Sequence, residues 1–271
     1  MPELPEVETT VRSVSPFLVG RVIVDVEVLR ANMVGDARRF EKAVRGRTVK
    51  NIKRRGKYML AELENGTTLM LHLKMSGRLG IRKKSDAALT YERILFHLAD
   101  DVVIAFNDPR TLGRALVMPT IDALHHPSIK ALGPEALEIP FAEFEAKLAK
   151  RPNRQIKELL MDQAFVAGVG NIYAQEACFI AKIDPRRAAR TLKPKERKAV
   201  YDGMRESLEK GLRNMGTSIS DFSDLFGKPG RNQDDLFVYG KAGEACRVCG
   251  TVIKSAVQAQ RTTAWCPKCQ K

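Results

Sequence analysis

The chain has 271 residues, enough for two domains with cores of their own. Its apolar and charged fractions, 44% and 29%, are those of a globular protein, and the lack of any run of eighteen apolar residues excludes a membrane-spanning helix. Lys and Arg give a net charge of +14, which points to a polyanionic partner, nucleic acid ahead of an anionic membrane, against the plainer reading of a basic surface.

The chain opens Met1-Pro2-Glu3-Leu4-Pro5-Glu6. A Met before a Pro is ordinarily trimmed, and Pro2 then carries a free secondary amine with a reference pKa near about 8. Such an amine beside two carboxylates can act as a carbon nucleophile and form an imine or iminium. The plainer reading is that Pro and Glu open a helix well. Leu4, Val7, Val11, Val14 and Leu18 recur at spacings of three and four, which predicts a first helix with one apolar face. Glu3 and Glu6 at its start suit the positive end of its dipole. Acids stand where a secretory signal would hold basic residues, and no apolar stretch follows, so a cytoplasmic protein is expected.

Alternation then takes over at 22–29, 48–52, 58–63, 67–73, 93–98, 102–106 and 115–118, with Asn65-Gly66 as a hairpin signal. Many short strands at close spacing predict an antiparallel sandwich or barrel rather than a parallel sheet. Residues 133–140 read as a linker. Helical periodicity follows over Phe144, Leu148, Ile156, Leu159, Leu160 and Phe165, breaks at Gly168-Val169-Gly170-Asn171, and resumes over 172–181, where Cys178 reads as helix core. A long charged amphipathic helix is expected over 195–212. Residues 214–235 are polar and read as a long loop, a kind of segment that often carries function. No internal repeat is present.

Cys246, Cys249, Cys266 and Cys269 form two Cys-x-x-Cys pairs separated by sixteen residues, the spacing of a zinc ribbon. All four histidines lie far upstream, so the site is expected to be all-sulfur and to hold one structural zinc; disulfides or free thiols are the alternative. Arg54-Arg55-Gly56-Lys57-Tyr58, read as strand, puts Arg55 and Lys57 on one face, suited to phosphate or a reacting sugar or simply to solvent. His72-Leu73-Lys74-Met75-Ser76-Gly77 ends a strand in a turn, where Met75 is either core or an apolar wedge between bases. Asp108-Pro109-Arg110-Thr111-Leu112-Gly113 is a second turn, with Arg110 a candidate for a base edge or a phosphate. Gly168-x-Gly170-Asn171 offers backbone N–H groups at a helix start, a phosphate seat. Arg261 lies near the tip of the ribbon, placed either to touch a nucleic-acid backbone or to solvate the tip.

Together these residues resemble the bacterial formamidopyrimidine-DNA glycosylases, nearly end to end. The resemblance rests on Pro2-Glu3-Leu4-Pro5-Glu6-Val7-Glu8, Arg54-Arg55-Gly56-Lys57-Tyr58, His72-Leu73-Lys74-Met75-Ser76-Gly77, Asp108-Pro109-Arg110, Leu132-Gly133-Pro134-Glu135, Gly168-Val169-Gly170-Asn171-Ile172-Tyr173-Ala174, Val238-Tyr239-Gly240 and the four-cysteine ribbon with Gln260-Arg261. It implies an α+β multidomain fold: an N-terminal helix with an antiparallel β-sandwich over 1–132, a helix–two-turn–helix domain with a lesion-capping loop over 133–236, and a β-hairpin zinc finger over 237–271. The implied partner is double-stranded DNA holding a damaged base, bound by a monomer in the groove between two lobes. The implied reaction is excision of an oxidised purine through a Pro2 imine, with Glu3 supplying a proton, followed by β- and δ-elimination. Lys57 resembles a further proton donor and Arg261 the residue tied to the last elimination. Asn171, Arg261 and Lys57 are expected at phosphates, and Met75 and Arg110 inside the duplex.

Three places depart from the family pattern. Leu112 stands where relatives carry a ring beside the base opposite the lesion. Tyr91 falls where relatives have a DNA-contacting His. The run Lys150-Arg151-Pro152-Asn153-Arg154 stands where relatives have a lysine-rich one, so this run does not place the family's DNA-contacting lysine. Two rival readings differ in class: an endonuclease VIII-like enzyme for oxidised pyrimidines, which opens with Gly where this chain has Leu4, and a zinc-ribbon nucleic-acid binder without catalysis.

Overall fold

The computed structural model of the protein describes residues 1–219 and 222–271. They fall into two compact units, Met1–Lys130 with Asn214–Gln233, and Ala131–Arg213 with Asp234–Lys271. The loop expected within the middle segment thus packs with the first unit over 214–233. Ser220 and Asp221, part of that expected capping loop, lie outside the described residues.

In the first unit α1 (Leu4–Leu18) forms where the periodicity predicts. Leu4, Val7, Val11, Val14 and Leu18 are at most 7% exposed, a burial of about 1.5–3 kcal/mol for each side chain. Then come β1 (Val22–Val28), α2 (Ala37–Val44), β2 (Arg47–Arg55), β3 (Tyr58–Leu63), β4 (Thr67–His72), β5 (Arg78–Lys83), β6 (Glu92–Leu98), β7 (Val102–Asn107), β8 (Arg114–Pro119), α3 (Thr120–His125) and α4 (Pro127–Lys130). The strands run β5-β7-β6-β1-β2-β3-β4-β8, antiparallel throughout. Only Val22–Thr48 and Ile23–Arg47 join β1 to β2, so the strands act as two four-stranded layers. Phe96, Ile104 and Phe106 of one layer and Met59, Leu69 and Leu71 of the other enter one core, together with α1 and Phe40 of α2. That is the expected sandwich.

Three local expectations change. β5 and α2 were not legible, because β5 carries basic residues at 78, 82 and 83 and α2 has few large apolar side chains, of which Phe40 and Val44 are buried. Lys57 is not on a strand: β2 ends at Arg55, which pairs with Tyr58, and Gly56-Lys57 is the two-residue hairpin loop. Gly56 has φ +54, a left-handed value Gly adopts without a Cβ clash. Residues 133–140 are no free linker, since Ala136 and Ile139 are buried and Glu135 bridges Ala167.

The second unit holds α5 (Phe141–Ala149), α6 (Ile156–Met161), α7 (Asn171–Ile180), α8 (Pro194–Arg213) and the hairpin β9 (Lys254–Gln258) and β10 (Arg261–Trp265). A turn closed by Phe165 N–H on Asp162 O and a bend at Gly168, with φ +99, join α6 to α7. α7 is buried nearly all round, Cys178 included. It packs on α8 so closely that a Cβ on Gly203 would lie 2.6 Å from Ala177 O, and one on Gly211 would lie 2.5 Å from the Tyr173 ring. Larger residues there would push the helices apart.

Candidate functional site

Pro2 and Glu3 are buried at the start of α1, behind a Met1 that is 42% exposed. Glu6, one turn on and 1% exposed, accepts from Glu3 N at 2.8 Å through Oε2 and from Thr217 N at 2.7 Å through Oε1. One carboxylate thus holds the backbone at the chain start and in the 214–233 loop. Glu8 reaches the other way: Arg54 Nε donates to its Oε2 at 3.0 Å, and Arg54 also donates to Gly56 O at 3.0 Å. This ties α1 to the hairpin loop that carries Lys57, itself 6% exposed.

Beside that loop stands His72, which the sequence placed at the end of a strand without a role of its own. Burial, then the charges of Lys74 and Lys57, push its pKa down to about 3. Its Nδ1 accepts from Lys74 N at 2.9 Å, so the neutral ring carries its proton on Nε2 and offers a donor there. The signal available in sequence was its place at the end of a strand, two residues before Lys74.

Asp108 organises the next three candidates. It is fully buried and accepts from Ser76 Oγ at 2.6 Å, Arg110 N at 3.1 Å and Gly113 N at 2.7 Å. Its own N–H donates to Tyr91 O at 3.0 Å, and its carbonyl accepts from Arg93 Nε at 2.8 Å. The Met75 turn, the Tyr91 loop and the turn bearing Arg110 and Leu112 are therefore stitched together through one aspartate. Tyr91 at 57% and Leu112 at 44% exposure project outward, Arg110 is exposed and Met75 half-buried. Large apolar groups held out on braced loops are poor core and good wedges. An open pocket of about 380 Å³ lies in the same unit, lined by Ser76, Arg78, Tyr91, Asn107, Ser218 and Phe222 among others. Its size and mixed polar and aromatic wall suit a flat heterocycle.

In the second unit Gly170 is the N-cap of α7 and Asn171 its first residue. Asn171 Nδ2 lies 3.4 Å from Thr262 O, while its Oδ1 is buried with no hydrogen-bond partner. Ala259 and Gln260 form the hairpin tip at φ +46 and +59, and exposed Arg261 follows as the first residue of β10. Lys157 on α6 is 1% exposed, with Nζ 2.7 Å from Thr263 Oγ1. It sits between apolar Ile156 and Leu159 where periodicity gave no reason to single it out.

The four cysteines come together. Cys246 Sγ and Cys269 Sγ are 4.0 Å apart, Cys249 Sγ and Cys266 Sγ 3.5 Å, and all four sulfurs lie within 4.8 Å of one another. A tetrahedron with Zn–S bonds of about 2.3 Å has edges of about 3.8 Å, so the sulfurs fit a closed structural zinc site. Around it Phe179, Val238, Ile253 and Ala264 form a small core, and Arg186 stacks 3.9 Å from the Trp265 ring centre.

Three family models match the chain: the formamidopyrimidine-DNA glycosylase N-terminal domain over 1–115, the formamidopyrimidine-DNA glycosylase H2TH domain over 132–223, and the zinc finger found in FPG and IleRS over 243–271. The formamidopyrimidine-DNA glycosylase of Pelotomaculum thermopropionicum is 40% identical over 276 residues, covering 100% of this chain and 99% of that protein. Wild-type Lactococcus lactis Fpg (MutM), solved with DNA containing N7-benzyl-Fapy-dG, superposes with a TM-score of 0.92 at 34% identity, covering 100% of both chains. The MutM (FPG) protein of Thermus thermophilus gives a TM-score of 0.88 at 36% identity, covering 99% of this chain and 98% of that one.

Proposed function

The chain belongs to the formamidopyrimidine-DNA glycosylase family, and we propose that Pro2 is the nucleophile with which it removes a damaged purine. It is a DNA glycosylase of base excision repair with the AP lyase activity of its family. The observation that supports Pro2 most directly is the Glu6 bracket: one buried carboxylate fixes the backbone at Glu3 and at Thr217, so the chain start has a defined place beside the 214–233 loop.

Removal of Met1 turns the Pro2 nitrogen into a secondary amine that is partly neutral near neutral pH. A base within the stack hides its sugar carbon, so the nucleotide must first swing out, at a cost of a few kcal/mol. The amine then attacks C1′ and the base leaves with the glycosidic electron pair. Glu3 supplies the proton that helps open the sugar ring. The iminium formed at C1′ acidifies C2′–H, so loss of that proton expels the 3′ phosphate. A second elimination expels the 5′ phosphate and leaves a one-nucleotide gap. Lys57 serves as a further proton donor and Arg261 in the last elimination. The chemistry of an amine nucleophile explains why one protein excises a base and also cuts the strand.

Met75 and Arg110 fill the space the nucleotide leaves, Leu112 lies beside the opposite base, and Tyr91 contacts the backbone. Asn171, Arg261 and Lys57 bind phosphates, with His72 Nε2–H and Lys157 as added contributors. The four cysteines hold one zinc, which shapes the ribbon and takes no part in the reaction. Functional segments of 1–132, 133–236 and 237–271 are proposed, as are a monomer and a cytoplasmic location; no helix among the described residues is long and apolar enough to cross a membrane. Borohydride trapping on DNA containing an oxidised guanine tests the central step. Wild type should give a covalent protein–DNA adduct and Pro2→Gly none. No adduct from protein that still excises the base would remove the imine mechanism.

A further inference from the structure

Gln175 lies one turn beyond Asn171 on α7 and is 1% exposed. Its Oε1 accepts from Ala264 N at 2.7 Å, and its Nε2 donates to Thr262 O at 3.1 Å and to Asn171 O at 3.0 Å. In an edge strand the carbonyl of one residue and the N–H two residues later face the same side, unpaired. β9 pairs along one edge of β10; the Gln175 amide takes the next pair of groups on the other, as a neighbouring strand would. A carboxamide side chain brings a strong donor and a strong acceptor side by side in one plane at any pH where the protein is folded. A carboxylate has no donor, and an apolar residue would leave the buried Ala264 N–H without its acceptor.

The amide also settles which donors serve Thr262 O. Asn171 Nδ2 reaches that carbonyl only at 3.4 Å, whereas Gln175 holds it at 3.1 Å. Asn171 can therefore leave for an incoming phosphate without stranding the carbonyl. Arg261 directly precedes Thr262, so the strand that Gln175 pins is the one that carries the arginine.

We propose that Gln175 is a positioning residue: a single-side-chain strand that registers β10 against α7, so that Arg261 meets a DNA phosphate while Asn171 is released to do the same. This rests on the phosphate role proposed above for Arg261.

The test is the salt dependence of binding to a non-cleavable abasic-site duplex, measured on full-length protein with zinc content determined for each variant. Gln175 is uncharged, so its loss changes the number of counterions released only if a charged residue loses its phosphate. Gln175→Leu should make the slope of log K against log salt shallower by about 0.9, one phosphate contact, the same change expected of Arg261→Ala. The double variant should be no shallower than Arg261→Ala alone. If Gln175→Leu loses zinc, Gln175→Ala decides, because a water can occupy the vacated space and spare the fold. A wild-type slope in the zinc-loaded Gln175 variant, or additive losses in the double variant, overturns the proposal. A wild-type slope in Arg261→Ala means that the phosphate role itself is wrong, and this inference falls with it.

Discussion

Glu6→Gln separates the bracket from the chemistry it supports. The carboxylate accepts two backbone N–H groups, at 2.8 and 2.7 Å, from a site 1% exposed. An amide of the same size keeps one oxygen and turns an NH2 toward the other donor. Hydrogen bonds to charged acceptors contribute about 1.5–3 kcal/mol, and a stranded buried N–H costs about 1–3, so a loss of about 2 kcal/mol is expected. That lowers the melting temperature by about 4–8 °C for a unit of this size. If all of it were lost from the productive arrangement, excision would slow by about thirtyfold. The comparison that matters is between substrates. If the 214–233 loop, held at Thr217, caps the damaged base as proposed, it acts only when a base is present, so excision from lesion DNA should slow more than strand cleavage at a preformed abasic site. Single-turnover rates on the two substrates, with a thermal melt, measure both parts. An unchanged melt with unchanged excision would show that the bracket holds nothing together, and equal slowing on both substrates would place its effect on Pro2 alone.

Cys249→Ser should release zinc and weaken DNA binding at least tenfold, because apo ribbons lose their shape; metal analysis with a binding titration checks it, and full binding by metal-free protein would refute it. His72 stays neutral in the fold down to about pH 3, whereas in the unfolded chain it takes up a proton near 6.5. Unfolding therefore becomes easier as pH falls below 6.5, by about 1.4 kcal/mol per unit. Urea midpoints at pH 7 and pH 5 should show His72→Gln losing less stability than wild type over that interval, by about 2 kcal/mol. Leu112→Ala should leave stability within about 0.5 kcal/mol, since the side chain is 44% exposed, yet lower affinity for lesion duplex; equal affinity would mean Leu112 stays out of the helix stack.

The sandwich and the helices were legible where one face is apolar at a fixed period. β3 alternates in burial, β4 is a short apolar run buried on both faces, and α1 repeats its apolar residues every three or four positions, so their extents follow from the sequence to within a residue. The zinc ligands were legible for another reason, as were the grounds for proposing Pro2: both chemistries need particular residue types at short spacing. What stayed hidden is carried by pairs far apart in sequence. Ser76 with Asp108, Glu6 with Thr217, and Gln175 with Ala264 are each a side chain meeting a distant loop or strand. Nothing local distinguishes them from solvated polar residues. Lys57 was misplaced for a local reason, since Gly56 turned the chain before the strand period reached it.

Buried carboxylates with shifted pKa values usually nominate a catalytic acid, and Glu176 would qualify on that criterion alone, because burial pushes its carboxyl up against the opposing pull of three backbone N–H groups. Geometry argues otherwise. Oε2 accepts from Phe237 N at 2.8 Å, and Oε1 from Val238 N at 3.0 Å and Tyr239 N at 2.9 Å. Both oxygens of this 4%-exposed carboxyl are engaged by backbone N–H groups of one segment, which holds it to the fold rather than aiming it at a substrate. Asp108 and Glu6 are bound in the same manner, each to backbone N–H groups of a loop. These acids convert irregular chain, which has no ladder or helix to satisfy it, into fixed platforms for exposed residues such as Leu112 and Arg110. Glu3 differs by position, adjoining the one nitrogen that trimming would set free. The acids that shape the site are thus separated from the acid expected to react by what their oxygens already hold.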